Sequence, residues 1–98
     1  MVLHTLNSSP HSSCCLADCL RVISPPAALI LIEDGAYAAT LSNAALFLDL
    51  AADIDCYVLQ PDVDARGLST TLSPRFTPVT DTGFVELTLQ YERVQSWY

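Results

Sequence analysis

The residues of this chain best suited to chemistry are its four cysteines, above all Cys14, Cys15 and Cys19, which crowd into six positions. A thiol acts as a nucleophile or metal ligand only as the thiolate, so what surrounds it decides its use. The stretch Ser12 to Arg21, SSCCLADCLR, reads as the opening of a helix. Ser12 or Ser13 is a natural N-cap, which puts Cys14 and Cys15 in the first turn, where free backbone N–H groups and the helix dipole favour a thiolate. At about 3.6 residues per turn, Leu16, Cys19, Leu20 and Ile23 share one stripe with Cys15 at its edge, and Cys14 faces the other side with Arg21. Cys19 is therefore either a small buried hydrophobe or a functional thiol, and spacing alone allows both. Cys14 reads as an exposed thiol without a role, and Cys56, at the head of the apolar run CYVL, as core. His11, Cys15 and Cys19 follow one another at four-residue intervals. No Cys-x-x-Cys pair or second ligand cluster completes a site there, so no metal is expected.

These side chains need elements to hold them. Val2 to Leu6 reads as a short strand, Asn7 to Pro10 as a loop, and Ser13 to Ile23 as the cysteine-bearing helix, ended by Pro25 and Pro26. The continuous run Ala28 to Ile32, ALILI, suits a strand buried on both faces of a parallel sheet. Ala36 to Leu50 is rich enough in alanine and leucine for a helix, interrupted near Ser42 and Asn43. Cys56 to Leu59 is a third strand, and Pro61 to Arg66 a short helix closed by Gly67 at C′. Leu68 to Pro78 is loop with a brief strand from Thr77 to Val79. In Val85 to Tyr91 apolar and polar residues alternate as in a strand, yet Thr80 or Asp81 can cap a helix whose stripe is Phe84, Leu87 and Tyr91. Helix is the reading taken, because it continues the alternation a parallel sheet requires. Val94 to Trp97 is then a last strand, and Trp97 and Tyr98 are aromatics of the kind that anchor interfaces. The expected fold is α/β, one three-layer domain over residues 1–98 with a small, mainly parallel sheet flanked by helices.

Composition narrows the function. A hydrophobic share of 51% excludes a disordered chain. No apolar run approaches the roughly 20 residues that span a bilayer, and MVLHTLNSSP lacks the basic and apolar regions of a signal peptide. The expectation is a cytoplasmic protein without membrane contact, whose cysteines stay reduced and form no disulfide framework. Eleven acidic residues against four arginines, with a net charge of −7, repel a phosphate backbone, so direct nucleic-acid binding is not expected. So apolar a small chain is expected to cover part of its surface with a partner. There is no Gly-rich phosphate loop, GxSxG elbow or Walker pattern, and nothing calls for a cofactor.

Four pieces, LHTLNSSP, ILIEDGAYAA, CYVLQPDVDARGL and TGFVELTLQYERVQSWY, stand in an order and spacing that resemble the DsrH/TusB family of small sulfur-relay subunits. The resemblance covers nearly the whole chain. It implies a fold shared with DsrE/TusD-like and DsrF/TusC-like subunits, and a heterohexamer holding two copies of each of three homologous chains. It implies sulfur donor and acceptor proteins as further partners. In one branch such complexes pass persulfide sulfur toward 2-thiolation of the wobble uridine of tRNA, and in another they serve dissimilatory sulfur oxidation.

In the DsrH branch a cysteine followed by leucine and a basic residue resembles Cys19-Leu20-Arg21, which makes Cys19 the candidate persulfide carrier. DsrE-like subunits hold their principal acceptor cysteine after the third strand, where this chain reads Gln60-Pro61-Asp62-Val63-Asp64, so the main acceptor is expected on a partner. A purely structural role, with Cys19 as packing, is one rival expectation, and a free-standing homo-oligomeric module that binds a small ligand is another. His4, in the shared LHT start, is a second candidate, able to orient or activate a thiol or simply to sit satisfied in the core. Glu33-Asp34-Gly35 falls at the carboxyl edge of the sheet, where ligands of open α/β sheets bind. The reading preferred there is a turn with Gly35 at positive φ.

Overall fold

Five strands, β1 (Val2–Leu6), β2 (Ala27–Leu31), β3 (Asp55–Leu59), β4 (Thr77–Val79) and β5 (Arg93–Trp97), lie parallel in the order β4-β3-β2-β1-β5 in the computed structural model, which describes residues 2–11 and 14–97. The aliphatic run makes β2 the central strand, and all five of its residues are buried. Alternation sorts the side chains onto two faces. Leu6, Leu29, Leu31, Cys56 and Val58 belong to one cluster, covered by α1 (Cys15–Val22) through Leu16 and Cys19, by alanines 36, 38 and 39, and by Val63 of α2 (Gln60–Ala65). Leu3, Ala28 and Ile30 point the other way, onto Leu87 and Tyr91 of α3 (Asp81–Gln90) and its end. The result is the three-layer α/β domain expected.

The ambiguous C-terminal segment is helical. Thr80 Oγ1 caps α3 by accepting from the Gly83 N–H at 3.1 Å, and Phe84, Leu87 and Tyr91 face the sheet as the stripe required. The strand-like alternation arose because Val85 and Leu89, at 56% and 81% exposure, point outward. Gly67, at φ 67°, closes α2 as expected.

Three expectations need correction. Residues 36–50 form no α-helix, and the interruption expected near Ser42 and Asn43 falls earlier: two 3₁₀ segments, Glu33–Ala39 and Leu41–Phe47, meet at Thr40. There the chain turns aside to bond the loop beyond α2, with Leu41 N–H donating to Thr71 O and Ser73 N–H to Ala39 O, both at 2.8 Å. Thr40 and Asn43 side chains donate to the Tyr37 carbonyl at 2.9 and 3.0 Å, which satisfies the break. The positive φ near this edge belongs to Glu33, at 50°, and not to Gly35. Gly35 is needed for another reason: a Cβ there would sit 2.2 Å from the Leu6 carbonyl oxygen, so only glycine lets the segment lie against the end of β1. The helix α1 is also shorter at both ends than expected; Cys14 occupies its cap position without a side-chain cap bond, and Ser12 and Ser13 lie outside the described residues. Among the described residues no helix is long and apolar enough to cross a membrane.

Candidate functional site

Cys19 stands in the second turn of α1 on the face turned to the sheet, with no exposed surface. It packs in the cluster of Leu6, Leu16, Leu29 and Leu31. Burial pushes its thiol up to about 12, because the apolar surroundings disfavour the thiolate. In the folded chain Cys19 is a neutral thiol, and nucleophilic chemistry at it requires that its sulfur first be exposed.

Cys14 and Cys15 divide as their spacing on the helix implies. Cys14 is exposed and lines a cavity of about 520 Å³ with His11, Leu16, Ala17, Leu20 and Leu46, while Cys15 is half-buried against the core. Cys56 is buried on β3, and its Sγ accepts from Arg75 Nε at 3.4 Å. Burial raises that thiol, and the guanidinium pulls the other way without cancelling it. Arg75 also donates to the Ala51 and Ile54 carbonyls at 2.7 and 3.2 Å, so it clamps the turn before β3. Nothing in the spacing of Cys56 and Arg75 announced this pair. Among the described residues no group of three or more His, Cys, Asp or Glu is placed to hold a metal ion.

His4 meets a different partner from a thiol. Its Nδ1 accepts from the indole Nε1–H of Trp97 at 3.1 Å, and the two rings stack with centroids 6.2 Å apart. The proton of the neutral imidazole must then sit on Nε2. Burial lowers the pKa of His4. No hydrogen bond joins His4 to Cys19 among the described residues, so the structure does not bring the two candidate residues together as base and thiol. The sequence singled out Trp97, which is half-buried, as an interface aromatic and gave no sign of its bond to His4; Tyr98 lies outside the described residues.

At the carboxyl edge of the sheet α2 follows β3 directly, and the positions after the third strand carry no thiol. Asp62 accepts from the Glu33 N–H at 2.7 Å, and Arg66 reaches Asp34 through Nε and Nη2 at 3.1 and 3.0 Å. These bonds pin the first 3₁₀ segment to α2. The acidic residues of this edge are thus held in an internal network.

The chain is similar to known proteins along nearly its whole length. A family model described as DsrH like protein matches residues 8–94. Protein TusB of Erwinia tasmaniensis is 38% identical over 96 residues, covering 98% of this chain and all of that one. Protein TusB of Klebsiella pneumoniae strain 342 is 39% identical over 97 residues, with the same coverage. Among solved structures, the ychN protein from E. coli is similar at a TM-score of 0.76 and 18% identity, over 98% of this chain and 97% of that one, a likeness of fold.

Proposed function

The chain belongs to the DsrH family, and from that membership we propose that it is one subunit of a cytosolic sulfur relay that hands persulfide sulfur toward 2-thiolation of the wobble uridine of tRNA. The observation that carries this reading is the match to TusB proteins along 98% of this chain and the whole of theirs. The proposed partners are homologous DsrE/TusD-like and DsrF/TusC-like chains in a heterohexamer. Exposed apolar side chains support such partners: Val85 and Leu89 on α3, and Leu41, Leu46 and Leu48 at the second 3₁₀ segment. The main acceptor cysteine belongs, in this reading, to a partner, since α2 offers no thiol after β3.

The chemistry is thiol exchange. A thiolate attacks the outer sulfur of a donor persulfide, the donor leaves as its thiolate, and the sulfane sulfur is carried to the next cysteine. Cys19 is the candidate carrier in this chain, with His4 as the lesser candidate. Its use requires that partner docking or the arriving donor expose it. The burial of Cys19 specifically favours a second reading, a structural subunit that shapes the site of its partners and carries no sulfur itself.

One experiment tests both. The three subunits are co-expressed, the purified complex is treated with a persulfidated donor, and cysteine peptides are read by mass spectrometry beside the 2-thiouridine content of cells carrying Cys19→Ser. Failure of the chain to co-purify with the two homologues overturns the relay-subunit reading. A sulfur adduct on Cys19 that dithiothreitol removes, with less 2-thiouridine in the variant, makes it a carrier. Co-purification with no adduct and normal thiolation makes it structural.

A further inference from the structure

The edge of the sheet at β5 holds a pocket that no cysteine lines. Parallel pairing sets Val2 beside Arg93, His4 beside Gln95 and Leu6 beside Trp97. Val2, His4, Arg93, Gln95 and Trp97 therefore share one face, and with Val22 near the end of α1 they line a cavity of about 580 Å³. That volume falls within the roughly 300–1,000 Å³ of small-ligand sites. Val22, at 61% exposure, supplies an apolar wall.

Two residues with hydrogen-bond donors line this cavity. Arg21 pairs with Asp18, Arg66 with Asp34 and Asp62, and Arg75 with Cys56 and backbone carbonyls. Arg93 alone of the four arginines meets no acceptor among the described residues, in a chain of net charge −7. His4 is the second donor: Trp97 occupies its Nδ1, so the neutral ring presents Nε2–H. The ring is only 8% exposed, and no described residue accepts from Nε2. No buried side-chain nitrogen or oxygen among the described residues lacks a partner, so Nε2 keeps some solvent contact, and the ring is part of the cavity lining.

We propose that this shelf binds a carboxylate carried on an apolar group, the carboxylate received by Arg93 and the His4 Nε2–H and the apolar part lying on Trp97 and Val22. A single guanidinium beside a neutral donor matches one negative charge, and a carboxylate offers an oxygen to each. A cationic ligand is repelled by Arg93, and a wholly apolar one leaves both donors without an acceptor. The carboxylate can come from a free acid, or from an acidic side chain on a segment laid along β5. That strand ends the sheet and leaves its outer backbone edge open. The inference does not rest on the sulfur-relay reading.

Trp97 is the chain's single tryptophan, so its emission reports the site directly. The full chain is titrated with 4-phenylbutyrate and its amide, and with the blocked tripeptides acetyl-Val-Glu-Val-amide and acetyl-Val-Gln-Val-amide. The expected result is a saturable change in emission with the acid, the Glu peptide or both. The uncharged counterpart should bind about tenfold more weakly or worse, the effect of losing one charge-assisted hydrogen bond. Arg93→Gln, at an exposed position without a partner among the described residues, should keep the fold by circular dichroism and reduce the affinity of the acid to that of the amide. A response to the acid alone assigns a free carboxylate, and one to the Glu peptide alone assigns an acidic segment. Equal binding of charged and uncharged probes, unchanged affinity in Arg93→Gln, or no saturable response to any of the four overturns the proposal.

Discussion

The indole Nε1–H of Trp97 donates to Nδ1 of His4 at 3.1 Å across 93 residues of sequence, tying the last strand to the first. The bond exists because β5 lies next to β1 with Leu6 beside Trp97, so the indole leans back over the residue two positions earlier on the neighbouring strand. It also makes the edge strand sensitive to proton binding, because a charged imidazole carries hydrogen on both nitrogens and cannot accept from the indole.

The pH dependence follows from the lowered pKa of His4. The unfolded chain takes up the proton near the ordinary value of 6.5, whereas the folded chain resists it because the ring is buried. Stability from this group is complete above that value and is lost as pH falls below it toward the folded pKa. The melting temperature should drop between about pH 7 and pH 5 more steeply in the wild type than in His4→Asn, which cannot titrate there. Melting curves whose pH dependence is the same in both proteins would show that His4 does not set this response.

Thiol labelling should rank the cysteines by exposure. In the native chain at about pH 8, Cys14 should alkylate first, while Cys19 should label only after denaturant is added, since a thiol at about 12 is ionised to roughly one part in ten thousand at that pH. Cys56 should also be protected, being buried on β3. Peptide mass mapping over a time course checks the order. Labelling of Cys19 at the rate of Cys14 would mean that α1 opens readily, and would favour the carrier role over packing.

Two glycines should respond oppositely to alanine. Gly35→Ala drives a methyl group to 2.2 Å from the Leu6 carbonyl, a backbone atom that cannot step aside, and should cost about 3 kcal/mol or more, enough to lower the soluble yield. Gly83 in the first turn of α3 meets only ordinary contacts, the nearest being Val79 Cβ at 3.4 Å. Gly83→Ala should be neutral or stabilising by up to about 1 kcal/mol through helix propensity. Urea denaturation of both variants decides. An unfolding midpoint for Gly35→Ala equal to wild type would contradict the close approach to β1.

The fold was legible where local signals agreed with one another. ALILI between prolines and an acidic turn marked a strand buried on both faces, and Gly67 after a short helix opening with proline marked its own left-handed turn. The region from 36 to 50 misled because alanine there serves close packing: Ala36, Ala38 and Ala39 are fully buried beneath the sheet end, and helix propensity loses to the bonds that residues 39 and 41 make with residues 73 and 71. Gly35 was recognised as special for the wrong reason, since only the packed structure shows the Leu6 carbonyl above it. The stripe that carries Cys19 was visible in the helix period, whereas the depth to which it is buried was not. The partner of His4 could not be read at all, because no periodicity links position 4 to position 97 until the strand order is known.

The outer face of α3 provides the test of assembly. Leu89, 81% exposed, and Val85, 56% exposed, lie one turn apart and away from the stripe that holds α3 to the sheet. Neither contributes to the buried cluster, so Leu89→Asp should change the stability of the isolated chain by no more than about 0.5 kcal/mol. If this face is covered by a homologous subunit, a charge placed there must be buried without a partner, which is far more costly than its effect on the free chain. Leu89→Asp and Val85→Ser together should then leave the monomer's melting temperature nearly unchanged and sharply reduce recovery of the co-expressed homologues in a pull-down. Undiminished recovery, with the same stoichiometry by light scattering, would move the interface off α3 and leave the apolar group of Leu41, Leu46 and Leu48 as the surface to vary next.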